Sequence, residues 1–68
     1  MAARARRRGP MYDTVYAWDP TTSEWYEVPR WNWPDGADAH AVARLVGAKG
    51  HVAHPGNANI GPPEGPPR

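Results

Sequence analysis

The sequence predicts a small two-layer α+β domain of order ββαβ, a three-stranded sheet with one helix on one face and disordered tails. Three observations predict it. Residues 12–29 hold two runs rich in Val, Tyr, Trp and Thr on either side of a turn cluster, the signature of a β-hairpin. Residues 39–46 then place apolar side chains at helical spacing. A short run, His51-Val52-Ala53-His54, follows a glycine and suits a further strand. The predicted domain spans residues 11–60, between a basic arm at 1–10 and a Pro/Gly-rich tail at 61–68.

The hairpin turns at Asp19-Pro20. Pro20 presets φ for the second position of a type I turn, and the Asp19 carboxylate can accept from the backbone N–H of Thr21 or Thr22. Pairing Asp19 with Glu24 sets the ladder Trp18–Trp25, Ala17–Tyr26, Tyr16–Glu27 and Val15–Val28. Side chains alternate across a strand, so the two faces separate. Val15, Ala17, Tyr26 and Val28 are expected in the core. Thr14, Tyr16, Trp18, Trp25 and Glu27 are expected on the other side.

The connection Pro29-Arg30-Trp31-Asn32-Trp33-Pro34-Asp35-Gly36 is too rich in Pro and Gly for a strand. Each of Trp31 and Trp33 can bury about 150–250 Å², which predicts a lid over one end of the core, with recognition as a second role. A helix is expected from Asp35 or Gly36 to about Ala48. Asp35 and Asp38 then sit at its positive end, and Lys49 with Gly50 suits its C-terminus. Ala39, Val42, Leu45 and Val46 form its apolar stripe, with His40, Arg44 and Gly47 opposite. The third strand is expected at 51–54, antiparallel to the first if it lies beside it, or parallel to the second after a right-handed crossover. Pro55-Gly56-Asn57 should turn, and Ala58-Asn59-Ile60 suits a short edge strand. The tail Gly-Pro-Pro-Glu-Gly-Pro-Pro-Arg should be polyproline II or disordered.

Sixty-eight residues allow one domain with a marginal core. There is no Cys, which excludes disulfides and thiolate metal sites and favours a reducing compartment. No apolar run approaches the roughly 20 residues of a membrane helix. The basic start is followed by no hydrophobic segment, unlike a secretory signal, so a cytoplasmic location is expected. Basic residues are seven Arg and one Lys, Ile occurs once and Phe is absent, a bias expected of a GC-rich genome.

The formal charge of +1 hides an asymmetry. Arg4, Arg6, Arg7 and Arg8 lie in the arm, whereas residues 11–68 hold four basic against seven acidic residues, a formal −3. Nucleic-acid attraction would have to come from the arm. Met11 directly precedes the first strand and is an alternative start to Met1. Arg-Arg-Arg-Gly-Pro at 6–10 resembles the AT-hook core Arg-Gly-Arg-Pro, although the order differs and the second Arg is missing.

Two further resemblances rest on short stretches. Asp19-Pro20-Thr21-Thr22-Ser23-Glu24-Trp25 resembles the Asp-Pro-x-Thr-x-x-Trp hairpin of a kelch repeat. The paired glycines of that family are missing, and one blade cannot make a propeller. Val-Ala-Arg-Leu-Val, Gly-His-Val-Ala-His and Ile-Gly-Pro-Pro-Glu-Gly-Pro-Pro are similar to segments of small uncharacterised proteins of actinobacteria and their phages. That resemblance implies a phage-encoded accessory protein and carries no known activity.

The chemistry-bearing residues do not converge in the sequence. His51 and His54 at i, i+3 on a strand would face opposite ways, and His40 would lie on the outer side of the helix, so no metal or cofactor is expected. Ser23 and the threonines lie in the first strand or its turn, away from a cleft, and no Gly-rich loop carries Lys-Ser/Thr. An enzyme with a small-molecule substrate is therefore not expected. The expected activity is protein binding, to a partner or to a second copy, through Tyr16, Trp18 and Trp25 with Trp31 and Trp33. The alternative is nucleic-acid binding, with Arg4, Arg6, Arg7 and Arg8 on phosphates and the sheet aromatics stacking bases.

Overall fold

The computed structural model describes residues 12–67. The basic arm, with Arg4, Arg6, Arg7 and Arg8, lies outside the described residues. The chain forms strand β1 (Thr14–Asp19), strand β2 (Glu24–Glu27), a 3-10 turn at Arg30–Asn32, helix α1 (Ala39–Ala48) and strand β3 (Ala53–Gly56). The sheet order is β2-β1-β3, and both pairings are antiparallel. This is the α+β architecture expected, with the first hairpin strand central and β3 beside it.

The hairpin register is the one the turn chemistry implies. Asp19 pairs with Glu24, Trp18 with Trp25, Ala17 with Tyr26 and Tyr16 with Glu27. The ladder extends through the Val28 N–H, which donates to the Val15 carbonyl at 2.8 Å. The Asp19 carboxylate accepts from the Thr21 N–H at 2.9 Å, and the Asp19 carbonyl accepts from the Ser23 N–H at 2.8 Å. Closing that loop puts Ser23 at φ 58°, a left-handed position occupied by a residue other than glycine.

The helix begins later than the expected Asp35 or Gly36. Pro34 to Ala37 form a turn closed by the Ala37 N–H on the Pro34 carbonyl at 3.1 Å, with Gly36 at φ +80°. Asp38 is then the N-cap, its carboxylate accepting from the Ala41 N–H at 2.9 Å. At the other end, the Gly50 N–H donates to the Gly47 carbonyl and the His51 N–H to the Val46 carbonyl. With Gly50 at φ +101°, this is a Schellman motif.

That exit leaves only His51 and Val52 before β3, so α1 settles over β1 and β3 rather than over the hairpin. Val15, Ala17, Val28, Ala39, Val42 and Ala43 form the core, and Tyr12, Trp33, Ala37, Val46 and Ala53 pack around it. Two expected core residues are consequently displaced. Tyr26, on the strand the helix does not cover, is 41% exposed, and Leu45 is 48% exposed.

β3 is two residues later than the expected 51–54, because Pro55 continues it. A proline lacks the N–H of a ladder donor, but β3 is an edge strand and tolerates the loss. Residues 58–60 form a turn instead of the expected edge strand. The Asn57 side chain accepts from the Asn59 N–H, while the Ile60 and Gly61 N–H groups donate to the Asn57 carbonyl. Asp13 secures this turn. Its N–H donates to the Gly56 carbonyl, its carboxylate accepts from the Ala58 N–H, and its carbonyl accepts from Arg30 Nη2.

Candidate functional site

The face of the sheet away from α1 carries Thr14, Tyr16 and Trp18 from β1, Trp25 and Glu27 from β2, and His54 and Gly56 from β3. Alternation along each strand and the hairpin register bring these side chains to one side. Trp18 and Trp25 are cross-strand partners and meet edge to face, with ring centroids 5.3 Å apart and planes at 68°. The His54 ring lies 5.8 Å from the Trp25 ring. Tyr16 leans the other way, over Gly56.

The face is not bare. Tyr16 is buried, and Trp18 and Trp25 are half-buried. The 61–67 segment, expected to be an extended or disordered tail, lies along them. Pro62, Gly65 and Pro66 border a groove with Trp18 and Trp25, and Pro62 and Pro63 border a second with Tyr12 and Tyr16. The Trp25 indole Nε1–H donates to the Gly65 carbonyl at 2.8 Å. Gly61 and Gly65 have φ of +96° and +73°, which lets the segment bend where it meets the face.

Carboxylates flank the aromatics. Glu27 accepts a 2.5 Å hydrogen bond from the Thr14 hydroxyl, which is itself buried. Burial raises the pKa of the Tyr16 phenol, and the nearby charges of Glu27 and Asp13 push it the same way. Glu24 borders the groove at Trp25. A phosphate approaching this face would meet acidic groups, and the arginines of the alternative reading lie outside the described residues.

The remaining sequence-predicted residues are not brought to this face. Trp33 packs against the core on the helix side, where its indole donates to the Val28 carbonyl at 3.2 Å. The Arg30 guanidinium sits 4.3 Å from its ring centroid. Trp33 is thus the lid expected for the core. Trp31 is 81% exposed on the 3-10 turn and is no part of the core. Composition groups both with Tyr16, Trp18 and Trp25 as binding residues, and geometry separates them. His54 and the 61–67 segment were missed. The signal for His54 was the register of β3, which Pro55 obscured.

Among the described residues, no three or more His, Cys, Asp or Glu side chains converge to hold a metal ion. His40 instead meets the Tyr12 ring edge to face at 5.2 Å. Among the same residues, no helix is long and apolar enough to cross a membrane. In comparisons with protein-family models, curated proteins and solved structures, none matches the chain.

Proposed function

We propose that the chain is a small non-enzymatic interaction module, acting in the cytoplasm, that docks a protein partner or a second copy of itself through Tyr16, Trp18 and Trp25. The observation that carries this reading is the joined cluster of Trp18, Trp25 and His54 rings on the side of the sheet without a helix. Trp and Tyr are the residues that dominate binding hot spots, because they bury large area with few rotatable bonds. The acidic neighbours Glu24 and Glu27 favour a protein partner over a nucleic acid, whose phosphates they would repel. Ser23, Thr21 and Thr22 are exposed in the hairpin turn, which supports a binding rather than a catalytic role. The missing cysteines support a reducing compartment.

Affinity capture and sedimentation velocity on the wild type, Trp18→Ala and Trp25→Ala test the reading. A partner or self-association weakened by about 2 kcal/mol or more in folded variants supports it. Stability losses of about 3–5 kcal/mol, in a protein that is monomeric and captures nothing, would make the face internal packing instead.

A further inference from the structure

We propose that the ligand of the aromatic face is a proline-rich segment of a partner protein, and that residues 61–67 are such a segment bound from within the same chain. This rests on the reading of the face as the interaction surface and names its ligand class. A partner would bind by displacing the resident segment.

The chemistry of the contact favours this class. A proline-rich segment has few N–H groups and cannot join a sheet edge through a full ladder. It offers instead exposed carbonyls and flat apolar rings, and its extended backbone is ordered before binding. The complementary surface is an aromatic groove with an isolated N–H donor. Trp25 supplies that donor to the Gly65 carbonyl, and Pro62 and Pro66 border the same groove. Tyr16 and Tyr12 continue the aromatic wall beside Pro62 and Pro63.

The resident segment is placed to be displaced. Pro62, Pro63, Glu64, Gly65 and Pro66 all remain exposed, and the core of Val15, Ala17 and Val42 lies on the opposite side of the sheet. Lifting the segment uncovers aromatic rings without opening that core. Its attachment is short, because β3 ends at Gly56 and the Asn57–Gly61 turn is held by Asp13. A tether of this length gives an effective concentration on the order of millimolar, enough for a weak ligand to hold the face closed.

The test uses the full chain and a capped peptide with the sequence of residues 61–67. The readout is the indole N–H region of a two-dimensional NMR spectrum, to which each of the four tryptophans contributes one N–H, assigned by single Trp→Phe variants. Two variants weaken the resident segment without touching the sheet: Gly65→Ala, strained at φ +73°, and the double variant Pro62→Ser/Pro66→Ser. Each should bind the peptide at least about tenfold more tightly than the wild type, with the Trp25 indole signal moving on binding. A peptide with its prolines replaced by alanine should not bind. Equal affinity in wild type and both variants, no binding to either variant, or equal binding of the alanine peptide would overturn the proposal. So would a wild-type dimer held by exchange of the 61–67 segment. If the peptide fails while a protein partner still depends on Trp18 and Trp25, the ligand class is wrong and the interaction module stands. If both fail, the face is internal packing.

Discussion

The Tyr16 ring fills the space that a side chain at Gly56 would need. A Cβ added to Gly56 would lie 2.8 Å from Tyr16 Cδ2 and 3.0 Å from Cε2. Gly56 pairs with Thr14, the residue two before Tyr16, so the ring covers its diagonal cross-strand neighbour. Tyr16 is 7% exposed and cannot swing aside without uncovering its ring. Gly56→Ala should therefore cost about 1–3 kcal/mol, as overpacking does. Chemical denaturation of Gly56→Ala, Tyr16→Ala and the double variant measures the coupling. The double variant should lose less than the sum of the singles, because the alanine at 56 then has room.

Ser23 offers the opposite change. Its φ of 58° closes the hairpin but crowds an L side chain. Glycine removes the crowding, at the cost of a more flexible unfolded chain. The net effect of Ser23→Gly should be a gain of about 0.5 kcal/mol, or a rise of roughly 2–4 °C in Tm for a domain of this size. Ser23→Val should lower the Tm instead, since a branched side chain is least tolerated there.

The core makes a prediction that separates two readings of one helix. Val28 and Val42 are buried, whereas Leu45 is 48% exposed. Val42→Asp and Val28→Asp each bury an unpaired charge and should unfold the domain. Leu45→Asp should cost less than about 1 kcal/mol. Circular dichroism and thermal melting of the three variants check the order. If Leu45→Asp unfolds the domain as the valine variants do, the packing of α1 is wrong.

That contrast shows how far the sequence could be read. The spacing i, i+3, i+6, i+7 puts Leu45 on the expected stripe and leaves Ala43 off it. At about 100° per residue, Ala39, Val42, Ala43 and Val46 share one face, and Leu45 lies roughly 110° from its centre. Ala39 and Ala43 are buried in the core, whereas the i+6 position of Leu45 turns it away from that face. The hairpin was legible to the residue because Asp19-Pro20 fixes its register locally, and Tyr16, Trp18 and Trp25 were legible with it. The start of α1 was not, since Asp35 and Asp38 are both suited to a helix N-terminus, and the Pro34–Ala37 turn, with Gly36 at φ +80°, places Asp38 at the cap. The seating of residues 61–67 was also hidden. A Pro/Gly-rich composition describes local stiffness, and it carries no trace of the hydrogen bond between Trp25 and Gly65, 40 residues apart.

Tyr16 also predicts how stability responds to alkali. Burial raises its pKa above the ordinary value of 10.0, and Glu27 and Asp13 add to the rise. The folded state therefore keeps the phenol proton at a pH where the unfolded chain has released it. Proton number is then larger in the folded state, and unfolding free energy falls as pH rises. The stabilisation is complete below pH 10 and is lost as pH climbs through the raised folded value. Tyr16→Phe keeps the ring over Gly56 and removes the ionisable group. Thermal melts between about pH 8 and pH 11 should show a steeper alkaline loss in the wild type than in Tyr16→Phe. If Tyr16→Phe and the wild type lose stability in parallel above pH 10, the phenol is not shielded as the fold places it.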